Sequence, residues 1–189
     1  MRKTEYQFSQ KKVTCIFDED FNEETINCKK DQVVIITDNN VYKLYKQKLD
    51  GFRLIIISAG EENKNQVTVD RIIQELIEME VDKQTLVIGL GGGVVTDIAG
   101  YAANIYKRGV RLALVPTTIL AMVDAAVGGK NGVDVGLYKN MVGTIYQPEF
   151  ISGRNDKTKK LEIPINVADV IHSVAKGSVM DLGSWMPLP

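Results

Sequence analysis

Short aliphatic runs recur along the first two thirds of the chain at the spacing of buried strands. Four of them are bounded by polar or turn residues, over 33–37, 54–57, 85–88 and 112–115, and the first three are rich in β-branched residues. Runs of this length and composition are typical of strands covered on both faces. The pattern therefore predicts four buried strands.

Helical periodicity fills the intervals between these runs. One apolar stripe has the spacing i, i+3, i+4 and i+7, at Val69, Ile72, Ile73 and Leu76. It predicts an amphipathic helix over 66–80. A second stretch, 94–107, is rich in alanine and glycine and predicts a helix that packs closely on a sheet. Strands alternating with helices indicate βαβ units, so we expect an α/β fold with a mostly parallel sheet flanked by helices.

Composition excludes several classes of protein. The 189 residues are 44% hydrophobic and 25% charged, with a net charge of -1, so a general nucleic-acid binder is not expected. No apolar run is long enough for a membrane span and no signal peptide is recognisable, which predicts a cytoplasmic protein without membrane contacts. Cys15 and Cys28 are expected to be reduced, buried thiols. The single histidine, His172, excludes a metal site with several imidazole ligands from one copy of the chain.

A glycine-rich turn, 89–93, follows the third predicted strand directly and opens the 94–107 helix. Glycines there expose backbone N–H groups at a helix N-terminus, which favours phosphate binding. The turn is not a complete G-x-G-x-x-G, because Val94 occupies the third glycine position. The alternative is a tight strand-to-helix turn that needs glycine only for steric reasons.

Polar residues follow the first two predicted strands. Asp38 and Asn40 come after the first, and an acidic residue at that position can bind ribose hydroxyls. The same residues also serve as helix caps, and from the residues alone the cap is favoured. Glu61 and Lys64 follow the second strand, where the alternative is a solvated ion pair.

The segment 116–148 combines small apolar residues, glycines and isolated charges. We expect its apolar surroundings to bury Asp124 partly, with Lys130 and Lys139 as available partners. Between 107 and 139, five basic residues outnumber two acidic ones, which indicates an anionic substrate such as a phosphate or carboxylate. The alternative is that these lysines are solvated surface residues.

Five blocks of sequence in order, 91–100, 106–109, 115–118, 123–130 and 139–148, resemble the 3-dehydroquinate synthase family over about residues 31–150. The resemblance implies a Rossmann-like domain. It also implies conversion of 3-deoxy-D-arabino-heptulosonate 7-phosphate to 3-dehydroquinate and phosphate, in the shikimate route to aromatic amino acids. Catalytic NAD and a divalent metal, zinc or cobalt, are the implied cofactors.

The resemblance also implies roles for individual residues. The expected NAD contacts are Asp38 and Asn40 at the adenosine end, and Gly92, Gly93 and Val94 at the pyrophosphate. Glu61 and Lys64 match nucleotide contacts of a G-E-x-x-K motif in the family, and Asp97 is expected near the nicotinamide. The remaining expected cofactor contacts are Thr117, Thr118, Lys130 and Lys139. The expected catalytic and substrate-positioning residues are Asp124, Lys130, Lys139, Asn140 and Arg108. Arg108 resembles an arginine that a neighbouring subunit contributes to the substrate phosphate, which favours a homodimer.

The metal half of the family pattern is not recognisable. Asp169 and His172 stand where a metal-binding Glu and a Lys would be, and further histidines do not follow, so we predict no complete metal site. The expected division is an NAD-binding α/β domain over 1–150, then a connector and an incomplete or aberrant start of a helical domain over 151–189. A chain of this length is expected to be inactive alone. The alternatives are a non-catalytic NAD-binding module, a related sugar-phosphate cyclase, or a polyol dehydrogenase of the glycerol dehydrogenase type.

Overall fold

A seven-stranded sheet forms the centre of the molecule in the computed structural model, which describes residues 2–8, 11–17 and 26–153. Its strands are β1 (Arg2–Phe8), β2 (Lys11–Phe17), β3 (Val33–Asp38), β4 (Arg53–Ile57), β5 (Leu86–Gly91), β6 (Arg111–Pro116) and β9 (Phe150–Gly153). The strand order is β1-β2-β9-β6-β5-β3-β4, in which β1 and β2 are antiparallel and the later neighbours are parallel. The four predicted strands are confirmed as β3 to β6, and so is the mostly parallel sheet.

Within the described residues, the strands are connected and covered by the helices α1 (Asn39–Tyr45), α2 (Gln66–Glu78) and α3 (Gly93–Ile105). The predicted stripe on α2 is confirmed, because Val69, Ile72 and Leu76 are completely buried. The Asn65 side chain starts α2 by accepting a hydrogen bond from the Thr68 N–H at 3.0 Å.

Hydrophobic clusters lie on both faces of the sheet because successive side chains of each strand point to opposite sides. Val34 and Ile36 of β3 join the cluster that contains α2 and α3, whereas Val33 and Ile35 join the cluster beside α1. All four are completely buried. This arrangement explains why the strands of the sheet centre have continuous apolar sequences rather than alternating ones.

The glycine-rich segment after β6 folds into two features that the sequence pattern did not predict. A π-helical turn covers Ala121–Ala125, and an antiparallel hairpin follows, β7 (Lys130–Val135) with β8 (Tyr138–Ile145), outside the main sheet. Helix α3 packs against β7, where a Cβ on Gly100 would overlap the Asn131 side chain. The small residues of α3 therefore allow a close approach on this side as well as on the sheet.

The predicted domain division stays a prediction. Strand β9 continues the main sheet across the expected boundary at 150, and Asp169 and His172 lie outside the described residues. Within the described ranges no helix is long and apolar enough to cross a membrane. Both cysteines are free; Cys15 is buried as expected and Cys28 is half-buried.

Candidate active site

The candidate site lies at the carboxyl ends of β3, β5 and β6. The chain proceeds from β3 to β4 on one side and from β5 to β6 on the other, so the strand order reverses between β3 and β5. Crevices at such reversals are where open α/β sheets bind their ligands. The Thr37 hydroxyl donates to the Leu90 carbonyl at 2.8 Å and ties the two strand ends together.

The glycine-rich turn joins β5 to the N-terminus of α3. A Cβ at Gly91 would come within 2.6 Å of the Val95 side chain, so the chain can reverse this tightly only with glycine at that position. The N-cap residue Gly92 has no capping side chain, and the first N–H groups of any helix lack intrahelical partners. The positive end of the helix dipole and these donors together form a site suited to an anion.

Two threonines after β6 lie beside this turn. The Thr117 N–H donates to the Gly91 carbonyl at 2.8 Å, and a Cβ at Gly92 would lie 3.3 Å from the Thr118 methyl group. The Thr118 hydroxyl in turn accepts from the Ala121 N–H at 3.2 Å and starts the π-helical segment. The structure thus brings the predicted residues of 92–94 and 117–118 together.

Asp38 has the capping role that its local sequence favours. One of its carboxylate oxygens accepts from the N–H groups of Asn40 and Val41 at 2.8 and 2.9 Å and starts α1. The residue is 9% exposed, at the end of β3 beside the crevice. Its predicted contact with the adenosine end of NAD stays a prediction, as does that of the exposed Asn40.

A buried ion pair lies one turn into α3. Lys64 Nζ is 2.5 Å from Asp97 Oδ2 and donates to Asn140 Oδ1 at 2.6 Å. The Lys64 and Asp97 side chains are only 6% and 15% exposed. Burial raises the pKa of Asp97 above its ordinary value; the hydrogen bond and charge of Lys64 oppose this shift, and the Asp124 carboxylate adds to it. Lys64 is therefore in direct contact with two other residues, Asp97 and Asn140, that were predicted to contact different parts of the ligands.

A cavity of about 690 Å³ opens beside this ion pair. It is lined by charged and amide side chains from α3, the π-helical turn and the hairpin: Asp97, Asp124, Lys130, Asn131 and Asn140. Small or apolar residues complete the wall, including Ala125, which a Cβ at Gly93 would contact at 3.5 Å. The cavity therefore adjoins the N-terminus of α3. Four of the five charged and amide residues that line it, all except Asn131, were predicted from the sequence.

The expected partial burial of Asp124 is wrong. Asp124 is exposed, because Ala121, Met122 and Val123 turn into the core and leave it on the open side of the π-helical turn. Lys139, its expected partner, instead pairs with Glu61 at 3.2 Å in a largely exposed contact. Lys130 is also exposed, at the start of β7.

Arg108 lies away from these residues. It follows the C-terminal end of α3, a 13-residue helix that begins at the glycine-rich turn, so about 20 Å separates it from the crevice. Lys107, Arg108 and Gly109 all have positive φ values, and the Lys107 side chain bonds to the Val81 carbonyl. Within one copy of the chain, Arg108 does not reach the cavity.

Metal ligands were not predicted for the α/β part of the chain. In the parts that the structure describes, no group of three or more His, Cys, Asp or Glu side chains is placed to hold a metal ion. The donor set of these segments consequently does not fit a metal centre. Asn131 and Asp134 are polar residues of the hairpin that the sequence analysis did not single out, and no local motif marks them.

A parallel sheet with a glycine-rich turn opening a helix at the strand-order reversal defines a dinucleotide-binding domain of the Rossmann-like class. A family model described as "3-dehydroquinate synthase N-terminal" matches residues 54–164. The chain belongs to the 3-dehydroquinate synthase family.

Relatives and solved structures agree with this assignment. The 3-dehydroquinate synthase of Blochmanniella pennsylvanica is 44% identical over 62% of this chain and 35% of its own length. That of Pyrococcus furiosus is 40% identical over 79% of this chain and 46% of its own. A structure of 2-deoxy-scyllo-inosose synthase complexed with carbaglucose-6-phosphate, NAD+ and Co2+ matches with a TM-score of 0.71 and 25% identity, over 80% of this chain and 44% of that one. The chain thus spans less than half the length of these proteins.

Proposed function

We propose that this chain forms the part of a 3-dehydroquinate synthase-type cyclase that binds NAD and an anionic sugar phosphate. The implied whole reaction converts 3-deoxy-D-arabino-heptulosonate 7-phosphate to 3-dehydroquinate and phosphate. The observation that carries the proposal is the cavity shared by Asp97, Asp124, Lys130 and Asn140 next to the uncapped N-terminus of α3. Membership of the family and the sugar-phosphate ligand of the solved relative support it.

The residues at the glycine-rich turn fit a dinucleotide. The backbone N–H groups of Gly93 and Val94 would donate to the pyrophosphate, and the lack of a Cβ at Gly92 would let the phosphates approach. A bound NAD would supply reversible acceptance of a hydride from a substrate hydroxyl. Asp97 would lie one helical turn deeper, with Lys64 maintaining its charged form against the cost of burial.

The substrate half of the proposal rests on charge. Lys130 faces the cavity and is exposed, so its ammonium group is available to a phosphate. Lys139 would exchange its exposed contact with Glu61 for the ligand at small cost, since such surface pairs are weak. The Asn140 amide would orient a hydroxyl at the same wall of the cavity.

No catalytic step is assigned to a metal, because the described residues offer no fitting donor set. We therefore propose a ligand-binding role for the described residues and assign the turnover of the substrate to none of them alone. Arg108 would act only across an interface between two copies, in line with the predicted homodimer. The cytoplasm stays the predicted compartment, on the sequence alone.

The test is a calorimetric titration of the NAD-saturated chain with 3-deoxy-D-arabino-heptulosonate 7-phosphate. We expect saturable binding that Lys130→Ala weakens about tenfold, since one charge-assisted contact is lost. Lys12→Ala, which removes a lysine of β2 from its exposed pair with Glu5 of β1, is the matched control and should leave the affinity unchanged. Binding of NAD without any binding of the sugar phosphate would contradict the proposal and support the non-catalytic NAD-binding module.

A further inference from the structure

The β7–β8 hairpin has one irregularity, and it lies at the predicted ligand-binding residues. The ladder pairs Val133 with Val142 and then Val135 with Tyr138. Between these pairs the single residue Asp134 faces three residues of β8, Lys139–Met141, so β8 contains a bulge. Asn140, at the centre of the bulge, has a φ of 54°, a conformation that asparagine tolerates better than most residues. Bulges of this kind aim side chains and recur beside active sites.

The Asp134 carboxylate occupies the gap that the bulge leaves in the ladder. Its Oδ1 accepts a hydrogen bond from the Asn140 N–H at 2.7 Å. Asn140 is exposed, so without this acceptor its N–H would bond to water. The bulge would then lose the hydrogen bond that holds it to β7. The side chain of Asp134 thus performs the role of a missing strand partner.

The backbone of Asp134 bonds to the loop before α2, whereas its side chain bonds to β8. Its N–H donates to the Lys64 carbonyl at 2.8 Å, and it forms an isolated parallel bridge with Asn65. The Lys64 side chain then returns to the Asn140 amide oxygen at 2.6 Å. Asp134, Lys64 and Asn140 consequently form a closed ring of hydrogen bonds, which Lys64 extends to Asp97 on α3.

We infer that Asp134 is a positioning residue that fixes the 139–141 bulge against Lys64. It thereby holds residues proposed to contact the substrate, Lys139 and Asn140, in register with residues proposed to contact NAD, Lys64 and Asp97. The part of this inference that concerns ligands rests on the proposed function. The ring of contacts, however, can be tested without any ligand.

The first arm of the test is amide hydrogen exchange at Asn140, followed by NMR in the full chain. Asp134→Asn keeps an oxygen where Oδ1 accepts, whereas Asp134→Ala removes it. We expect the Asn140 amide to exchange slowly in the wild type and in Asp134→Asn, and about tenfold or more faster in Asp134→Ala. Amides of β5, far from the hairpin edge, should be unchanged. Equal Asn140 exchange in all three proteins, or equally fast exchange in both variants, would overturn the inference.

The second arm is a titration of the same three proteins with NAD. Asp134→Ala should weaken NAD binding about fivefold or more, and Asp134→Asn should restore it. Equal affinities in three proteins that all bind would overturn the positioning role. A wild-type chain that binds no NAD would overturn the proposed function instead, while the exchange comparison would still decide whether Asp134 fixes the bulge.

Discussion

Lys64→Met removes the charge that faces Asp97 and keeps most of the aliphatic stem of the side chain. Lys64 Nζ lies 2.5 Å from Asp97 Oδ2, and the two side chains are 6% and 15% exposed. Removing one member of a buried pair costs about 3–5 kcal/mol, because the other charge stays buried without compensation. The cavity gives Asp97 some access to water, so we expect a loss near the lower limit, about 3 kcal/mol at pH 7.

The loss should depend on pH in a defined direction. The pKa of Asp97 is already above its ordinary value of 3.8, mainly through burial, and Lys64 opposes that shift. Without Lys64 the pKa rises further. A carboxyl group with a raised pKa binds more protons in the native than in the unfolded state, so the variant loses stability as pH rises from 3.8 through the raised pKa. The difference between wild type and variant should therefore be small near pH 3.8 and grow towards pH 7.

Urea unfolding across this pH range measures the difference directly. The matched control is Lys139→Met, whose pair with Glu61 is 69% and 47% exposed and should contribute less than about 0.5 kcal/mol. The double variant Lys64→Met with Asp97→Asn should recover part of the loss, because no charge is then buried alone. A loss that is the same at every pH, or no greater than that of Lys139→Met, would show that Lys64 does not offset the buried charge of Asp97.

Three further predictions concern the fold around the site. Asp38→Ala removes the cap of α1 and should cost about 1 kcal/mol in urea unfolding, while Asp38→Asn should cost less; equal costs would contradict the cap. Gly89→Ala puts a methyl group 2.8 Å from the Ala99 Cβ and should lower the free energy of unfolding by about 2 kcal/mol. Adding Ala99→Gly should restore part of that stability, and no recovery would show that this contact is not the cause. Burial raises the pKa of the Cys15 thiol to about 12, so a thiol reagent at pH 8 should modify Cys15 only as fast as the protein unfolds. The half-buried Cys28 should be modified faster. Rapid labelling of Cys15 in the native protein would contradict this prediction.

The part of the fold that follows from local pattern was predictable. The strands β3 to β6 and the helix α2 have uninterrupted apolar runs or a single apolar stripe, and both signals come from residues close together in the chain. The glycine-rich turn was predictable for the same reason, since strand, turn and helix are consecutive. The hairpin β7–β8 was not, because β8 is exposed along nearly its whole length and lacks a buried alternating face.

The contacts within the site depend on tertiary structure and left no signal in the sequence. Lys64 meets Asn140 across 76 positions of the chain, and this pairing depends on how the hairpin packs against α3. Asp124 shows the opposite error: its apolar neighbours suggested burial, but they define one face of a helical turn and Asp124 lies on the other. Types of residue could thus be assigned to the site from the sequence, whereas their partners could not.

A calorimetric titration of the purified chain with NAD tests whether this chain binds the dinucleotide at the proposed site. Asp97→Asn keeps an oxygen for Lys64 but removes the charge, and Asp70→Asn on the exposed surface of α2 is the matched control. We expect saturable one-site binding by the wild type and by Asp70→Asn, and an affinity about tenfold lower for Asp97→Asn. A folded wild-type chain that gives no binding heat, and no shift of its unfolding midpoint with NAD, would contradict this expectation.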